Sequence, residues 1–95
     1  MPQPTEVRPL TGAEREAFTA ARLNAVLATP YFARALWRVI PLAAPGLDTA
    51  AVDRQWRLYL DPDRLAAWGP AVAGAVLAHE VSHLVRDHAG RADPI

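Results

Sequence analysis

Ninety-five residues make one domain, not two. The chain has ten arginines, no lysine and ten acidic residues, so its formal charge is zero. That argues against a nucleic-acid module or a polybasic membrane-surface segment, both of which would carry a basic surplus. Cysteine is absent, which removes disulfides, thiolate nucleophiles and Cys-ligated zinc or iron–sulfur sites, while 52% hydrophobic residues are enough for a core.

The N-terminus, Met1 to Glu6, has neither a basic start nor an apolar stretch after it, so it does not read as an export signal and a cytoplasmic location is expected. Residues 1–10 hold three prolines and read as a flexible arm, with a single domain over 11–95. Thr11-Gly12-Ala13-Glu14 has the form of a capping box and predicts a helix to about Ala28. Phe18, Ala17, Ala21, Val26 and Leu27 make its apolar stripe, and Arg15, Glu16 and Arg22 face water. Pro30 ends the helix, and Tyr31 to Leu36 can add one more turn. Trp37-Arg38-Val39-Ile40 with Leu42 reads as a strand, and residues 43–46 as a loop. Thr49–Val52, a turn at Asp53-Arg54-Gln55, and the alternating Trp56–Leu60 read as a hairpin.

Asp61-Pro62-Asp63 stops the second strand, and Leu65–Trp68 can form one helical turn. Gly69-Pro70 opens a long helix that runs to about Ala89, with Gly90 at its C-cap. The longest apolar run, Leu65–Ala78, is 14 residues; a membrane span needs roughly 20, so this run reads as a buried helix. The expected fold class is α+β: two main helices packed on a small, mostly antiparallel sheet of about three strands.

The long helix carries Leu77-Ala78-His79-Glu80-Val81-Ser82-His83, and with it His-Glu-x-x-His. Residues i and i+4 are offset by about 40° and about 6 Å, so His79 and His83 can grip one ion from the same face. Glu80 sits about 100° round the helix, beside that ion, where it can take a proton from an activated water. Zinc lowers the pKa of such a water to about 7, which is the chemistry of peptide-bond hydrolysis. The competing reading makes the two histidines a hydrogen-bonded pair on a buried helix and Glu80 a surface carboxylate. Three ionisable groups in an apolar segment are costly without partners, and a shared metal removes that cost.

Catalytic zinc usually has three protein ligands. On an unbroken helix His88 is rotated about 140° from His83, so it becomes a ligand only if the helix breaks early; otherwise it is a helix-end histidine interacting with the C-terminal dipole. Some metalloproteases place a glycine three residues after the second His, and here that position is Arg86. Asp87 can fix the ring of His83. Glu6, Glu14, Glu16, Asp48, Asp53, Asp61, Asp63 and Asp93 remain as carboxylate candidates, as does a ligand from a continuation of the chain or from a partner.

Taken in order, Pro30-Tyr31-Phe32, Thr49-Ala50-Ala51-Val52-Asp53, Leu58-Tyr59-Leu60-Asp61-Pro62 and Leu77-Ala78-His79-Glu80-Val81-Ser82-His83 with His88 resemble the zincin-type metallopeptidase domain (HExxHxxxxH) found N-terminal to VWA-like domains in bacterial proteins. The resemblance covers roughly residues 15–94. It implies a zincin-like fold, Zn²⁺ as cofactor, His79 and His83 as metal ligands, His88 as a further ligand or a structural residue, and Glu80 as the catalytic base. It also implies a peptide or protein substrate and, as partner, a VWA-like protein or a MoxR-type ATPase. The family continues past the point where this chain stops at Asp93-Pro94-Ile95, so a domain truncated at its C-terminus is expected. The leading expectation is a zinc-dependent metallopeptidase. Its rivals are an inactive or truncated zincin-like module that binds a protein partner, and a metal-free helical domain. Trp37, Trp56 and Trp68 are expected in the core or at its rim. Tyr59 is expected to be an ordinary strand aromatic, although its hydroxyl could stabilise an oxyanion.

Overall fold

In the computed structural model, residues 6–90 are described, with side chains through Arg86. The first helix, α1 (Gly12–Ala28), opens with both halves of the expected capping box. Thr11 Oγ1 accepts from the Glu14 amide at 3.2 Å, and Glu14 Oε1 accepts from the Thr11 amide at 2.9 Å. Arg8 adds a two-pronged ion pair, Nη1 to Oε1 at 2.8 Å and Nη2 to Oε2 at 3.0 Å. That fork, helped by the Thr11 amide and opposed by burial, holds the Glu14 carboxyl at a pKa of about 2. Within the segment expected to be a flexible arm, Arg8 also exchanges backbone hydrogen bonds with Ala43, and Leu10 is buried.

Pro30 opens a 3-10 turn (Pro30–Phe32) that leads into a short helix, α2 (Ala33–Arg38). The expected strand over Trp37–Ile40 is therefore displaced: Trp37 and Arg38 are helical, and the strand β1 is Ile40–Ala43. The reason lies in α1. Arg22, expected to face water, is half-buried and donates Nη1 to the carbonyls of Leu36 (3.1 Å) and Val39 (3.3 Å), satisfying the end of α2. Its guanidinium lies 4.5 Å from the Phe18 ring centroid and 4.9 Å from that of Trp37. Burial, with Arg15 adding to it, lowers the Arg22 pKa from its ordinary value.

The expected hairpin is present as β2 (Ala50–Val52) antiparallel to β3 (Arg57–Leu60). The sheet is mixed rather than mostly antiparallel, because β3 inserts between the other two strands and pairs in parallel with β1, in the order β1-β3-β2. Two contacts carry the loop between β1 and β2 across to the far side of β3: Ala44 N donates to Leu60 O at 2.7 Å, and Asp61 N donates to Thr49 O at 3.1 Å. Alternation along β3 puts Leu58 and Leu60 in the core.

Asp61 joins the sheet to the last helix, α3 (Pro62–Gly90). Its carbonyl accepts from Leu65 N and its Oδ1 from Asp63 N at 3.0 Å, the pattern of a helix N-cap, while Oδ2 accepts from Asp48 N at 2.7 Å. The helical turn expected over Leu65–Trp68 thus begins earlier, at Pro62. Gly69 then breaks the helix with φ 74° and ψ 171°, a conformation that favours glycine, before the second stretch starts at Pro70. The apolar run Leu65–Ala78 is only partly buried. Leu65, Ala73, Gly74 and Leu77 face inward, and Ala66, Ala67, Ala71, Val72 and Ala75 are exposed. Among the described residues no helix is long and apolar enough to cross a membrane.

Helix α3 packs on α1 and over β2. The crossing with α1 is made by small residues, Ala21 and Ala25 against Ala73 and Gly74. A Cβ at Gly74 would lie 2.9 Å from Ala21 O and 3.1 Å from Asn24 Cβ, so the helices approach as closely as glycine allows. Gly74→Val should therefore destabilise the fold by about 1–3 kcal/mol in chemical denaturation. Gly12→Ala, whose Cβ meets nothing within 4 Å, should be neutral or slightly stabilising. A Gly74→Val chain as stable as the parent would show that the crossing is not tight.

The Arg8–Glu14 fork predicts a pH signature. A carboxyl whose folded pKa is lowered from 4.5 to about 2 adds stability that is complete above the ordinary value and is lost as the pH falls toward the folded one. Glu14→Gln should lower the melting temperature at pH 7, and the difference from the parent should shrink between pH 4.5 and pH 2. A pH-independent difference would contradict this.

Candidate functional site

The second stretch of α3 is two-sided. Leu77, Val81 and Leu84, at i, i+4 and i+7, are buried, whereas His79, His83 and Arg86 repeat the same spacing two positions on and are exposed. Two positions are about 200° of rotation, so the packing that fixes the helix also turns the His pair away from the core. Glu80 and Ser82 lie between these faces and are half-buried. The Ser82 hydroxyl donates to the His79 carbonyl at 2.7 Å, a bond back along the helix that occupies it.

The two Nε2 atoms stand 3.1 Å apart, with ring centroids separated by 4.5 Å and ring planes at 88°. Two nitrogens sharing a metal at bonds of about 2.0–2.1 Å in near-tetrahedral geometry are separated by about 3.1–3.4 Å. The pair therefore fits two corners of one coordination sphere. Because both rings are exposed, the burial cost expected of these groups does not arise, and the 3.1 Å spacing of the two nitrogens fits a shared metal and equally a hydrogen bond between the rings.

A third corner is not assembled among the described residues, which contain no group of three His, Cys, Asp or Glu placed to hold a metal. Several of the carboxylate candidates are engaged elsewhere. Glu14 is tied to Arg8 and Thr11, Asp48 to Arg64 at 2.6 Å, and Asp61 to the amides of Asp48 and Asp63. Glu6, Glu16 and Asp63 are exposed. Asp93 lies outside the described residues, as do the side chains of Asp87 and His88, although the backbone of α3 continues to Gly90.

His83 forms one wall of an open groove of about 580 Å³, lined also by Val52, Asp53, Arg54, Leu84 and Arg86. The opposite lip is the β2–β3 turn. Asp53 organises that turn by accepting at Oδ1 from the amides of Gln55 (2.9 Å) and Arg57 (3.0 Å). Its Oδ2 accepts from Arg57 Nε (2.7 Å) and Tyr59 Oη (2.8 Å). Burial alone would raise the Asp53 pKa, but the Arg57 amide, the Tyr59 hydroxyl, the Arg57 guanidinium and the Gln55 amide outweigh it and hold the carboxyl below its ordinary value. A sheet edge runs beside the groove, since β2 is an edge strand and its last residue, Val52, is in the lining. Arg57 and Tyr59 are turned to Asp53 and are absent from the groove lining. Of the groove's residues, His83 and Asp53 were singled out from sequence as candidate ligands, whereas Arg54 and Arg86 were not singled out as functional, although Arg86 lies on the histidine face at i+7 from His79.

A family model described as "Putative metallopeptidase domain" matches residues 13–94. The chain belongs to this family. The match spans both main helices, the sheet and the His-Glu-x-x-His segment, and it bears out the family resemblance carried by the motifs. No curated protein and no solved structure matches the chain.

The turn has a measurable consequence. The hydrogen bond to Asp53, then burial and the charge of Asp53, raise the Tyr59 pKa above its ordinary 10.0. Asp53→Asn should bring one tyrosine titration back down toward 10.0 in an ultraviolet pH titration and should lower stability by about 1–2 kcal/mol. An unchanged tyrosine titration would mean that the Asp53–Tyr59 contact is not formed in solution.

Proposed function

We propose that this domain is a zinc-dependent metallopeptidase in which His79 and His83 hold the metal and Glu80 is the general base. The observation that carries the reading is the 3.1 Å separation of the two Nε2 atoms within a family described as a metallopeptidase domain. When bound, zinc supplies Lewis-acid polarisation of a peptide carbonyl and lowers the pKa of water to about 7. Glu80, one residue past His79 and half-buried beside the pair, takes the proton of the attacking water and returns it to the leaving amine. The third protein ligand is His88 or a carboxylate supplied by a continuation of the chain or by a partner. A peptide substrate lies along the groove beside β2, whose edge offers backbone hydrogen-bonding groups to an added strand. The family resemblance supports a VWA-like protein or a MoxR-type ATPase as the partner of such a domain.

The test is paired. Elemental analysis of the untagged chain should find about one zinc per chain. Glu80→Gln should keep that metal and lower peptide hydrolysis by about 100-fold or more. Hydrolysis that persists in the Glu80→Gln chain would remove Glu80 from its role. A chain that takes up no zinc, even when soaked in it, would instead favour a non-catalytic module that binds a protein partner.

A further inference from the structure

A separate cleft flanks the His pair on the side away from the β2–β3 turn. It has a volume of about 300 Å³ and runs between the end of α1 and the second stretch of α3. Its walls are Ala25 and Ala28 from α1 and Ala71, Gly74, Ala75 and Ala78 from α3, and none of its described lining residues is ionisable. Helix geometry fixes where it lies. Going round α3 from His79, the groove residues His83 and Leu84 are about 40° and 140° away in one sense, and the cleft residues Ala75 and Ala78 are about 40° and 100° away in the other. The His pair is thus a ridge with an opening on each flank. Ala75 is one turn, about 6 Å, before His79, and the Cβ of a helical residue leans toward the helix N-terminus, so His79 leans toward this cleft.

Three large apolar residues border the cleft in sequence and are left in water. Leu27 precedes Ala28, Val72 follows Ala71, and Tyr31 lies just past Thr29, another lining residue; they are 74%, 50% and 89% exposed. Tyr31 belongs to the Pro30-Tyr31-Phe32 step, whose Phe32 packs against the core while Tyr31 does not. A neutral cleft with apolar side chains exposed at its edge takes an apolar group, because a charged one would leave water without gaining a partner. A peptide crossing the ridge supplies that group. The middle of the cleft lies about 7 Å before His79 along the helix, and one extended residue spans about 3.3–3.6 Å, so the side chain concerned is about two residues from the bond at the metal.

Resting on the metallopeptidase reading, we infer that the α1–α3 cleft is a side-chain subsite for an aliphatic residue of the peptide held across His79 and His83. The substrate class is therefore a peptide with a leucine-, isoleucine-, valine- or methionine-like residue on the α1 side of the bond. The alanines of both helices set the room available to that side chain and take no part in proton transfer.

The experiment is an amide NMR titration of the isotope-labelled full chain, which reads weak binding and its location together. Two peptides of common sequence are used, one with a single Leu and the other with Ser in its place. Each is added to millimolar concentration, once with the zinc-loaded chain and once with the metal-free chain. The Leu peptide should shift the amides of Ala28, Ala71, Ala75 and Ala78 and bind about 10-fold or more tightly than the Ser peptide, the difference expected for burying an aliphatic side chain. Ala28→Arg and Ala71→Arg, at exposed positions on two helices, should each cut that preference to within about twofold. Ala67→Arg, exposed but outside the cleft, should keep it. Equal affinity for the two peptides, shifts confined to other residues, or no binding at millimolar concentration overturns the inference. Cleft shifts that grow with protein concentration in the absence of peptide assign the cleft to a second copy of the chain and overturn it as well. The metal-free titration separates the two readings. A Leu preference without zinc uptake or turnover keeps this subsite and removes the peptidase, whereas zinc uptake and turnover without a Leu preference do the reverse.

Discussion

Much of the molecule's geometry depends on one buried carboxylate. Asp61 is 5% exposed and uses both oxygens and both backbone groups. In doing so it ends β3, starts α3 and ties the β1–β2 loop to the same point. A buried charge without such partners would be unfavourable by several kcal/mol, so the surrounding amides and the carboxylate fix one another. From that origin α3 has one direction to leave in, Gly69 gives it one bend, and Gly74 sets how closely it meets α1. The exposed face that carries His79 and His83 is what remains once those three constraints are met.

What could be read from the sequence follows how local each determinant is. The Thr11–Glu14 box, the hairpin around Asp53 and the His-Glu-x-x-His spacing are set within a few residues, and each was legible, as was the α+β class. Trp37 and Arg38 read as strand because their local pattern is ambiguous. The deciding contact is Arg22 on the carbonyls of Leu36 and Val39, from a residue on another helix. The parallel pairing of β1 with β3 was hidden for the same reason, since it depends on where the loop through Ala44 and Thr49 docks. At the site, sequence supplied the two histidines and the glutamate between them. The groove was not legible, because Val52 and Arg54 reach it from β2 and the turn after it, elements distant in sequence that only the tertiary packing brings beside α3.

The small residues of α3 have two consequences. Alanine and glycine make an apolar stretch whose side chains add little exposed surface, so a run that reads as buried can sit half in water while exposing few large side chains, Val72 among them. They also permit the close crossing with α1 that a chain of this size uses to make a core from few large side chains, among which Phe18, Leu36, Leu58, Leu77 and Val81 are fully enclosed.

The β2–β3 turn holds Trp56 at φ 66°, in the left-handed region where a bulky residue is strained by about 1–3 kcal/mol. Trp56 is held there by its packing against the core and by the Arg38 guanidinium, 4.4 Å from its ring centroid. The lip of the groove thus includes a strained residue supported by a contact with α2. Arg38 and Trp56 do not line the groove, yet the backbone conformation they support belongs to the turn that carries Asp53 and Arg54 into it.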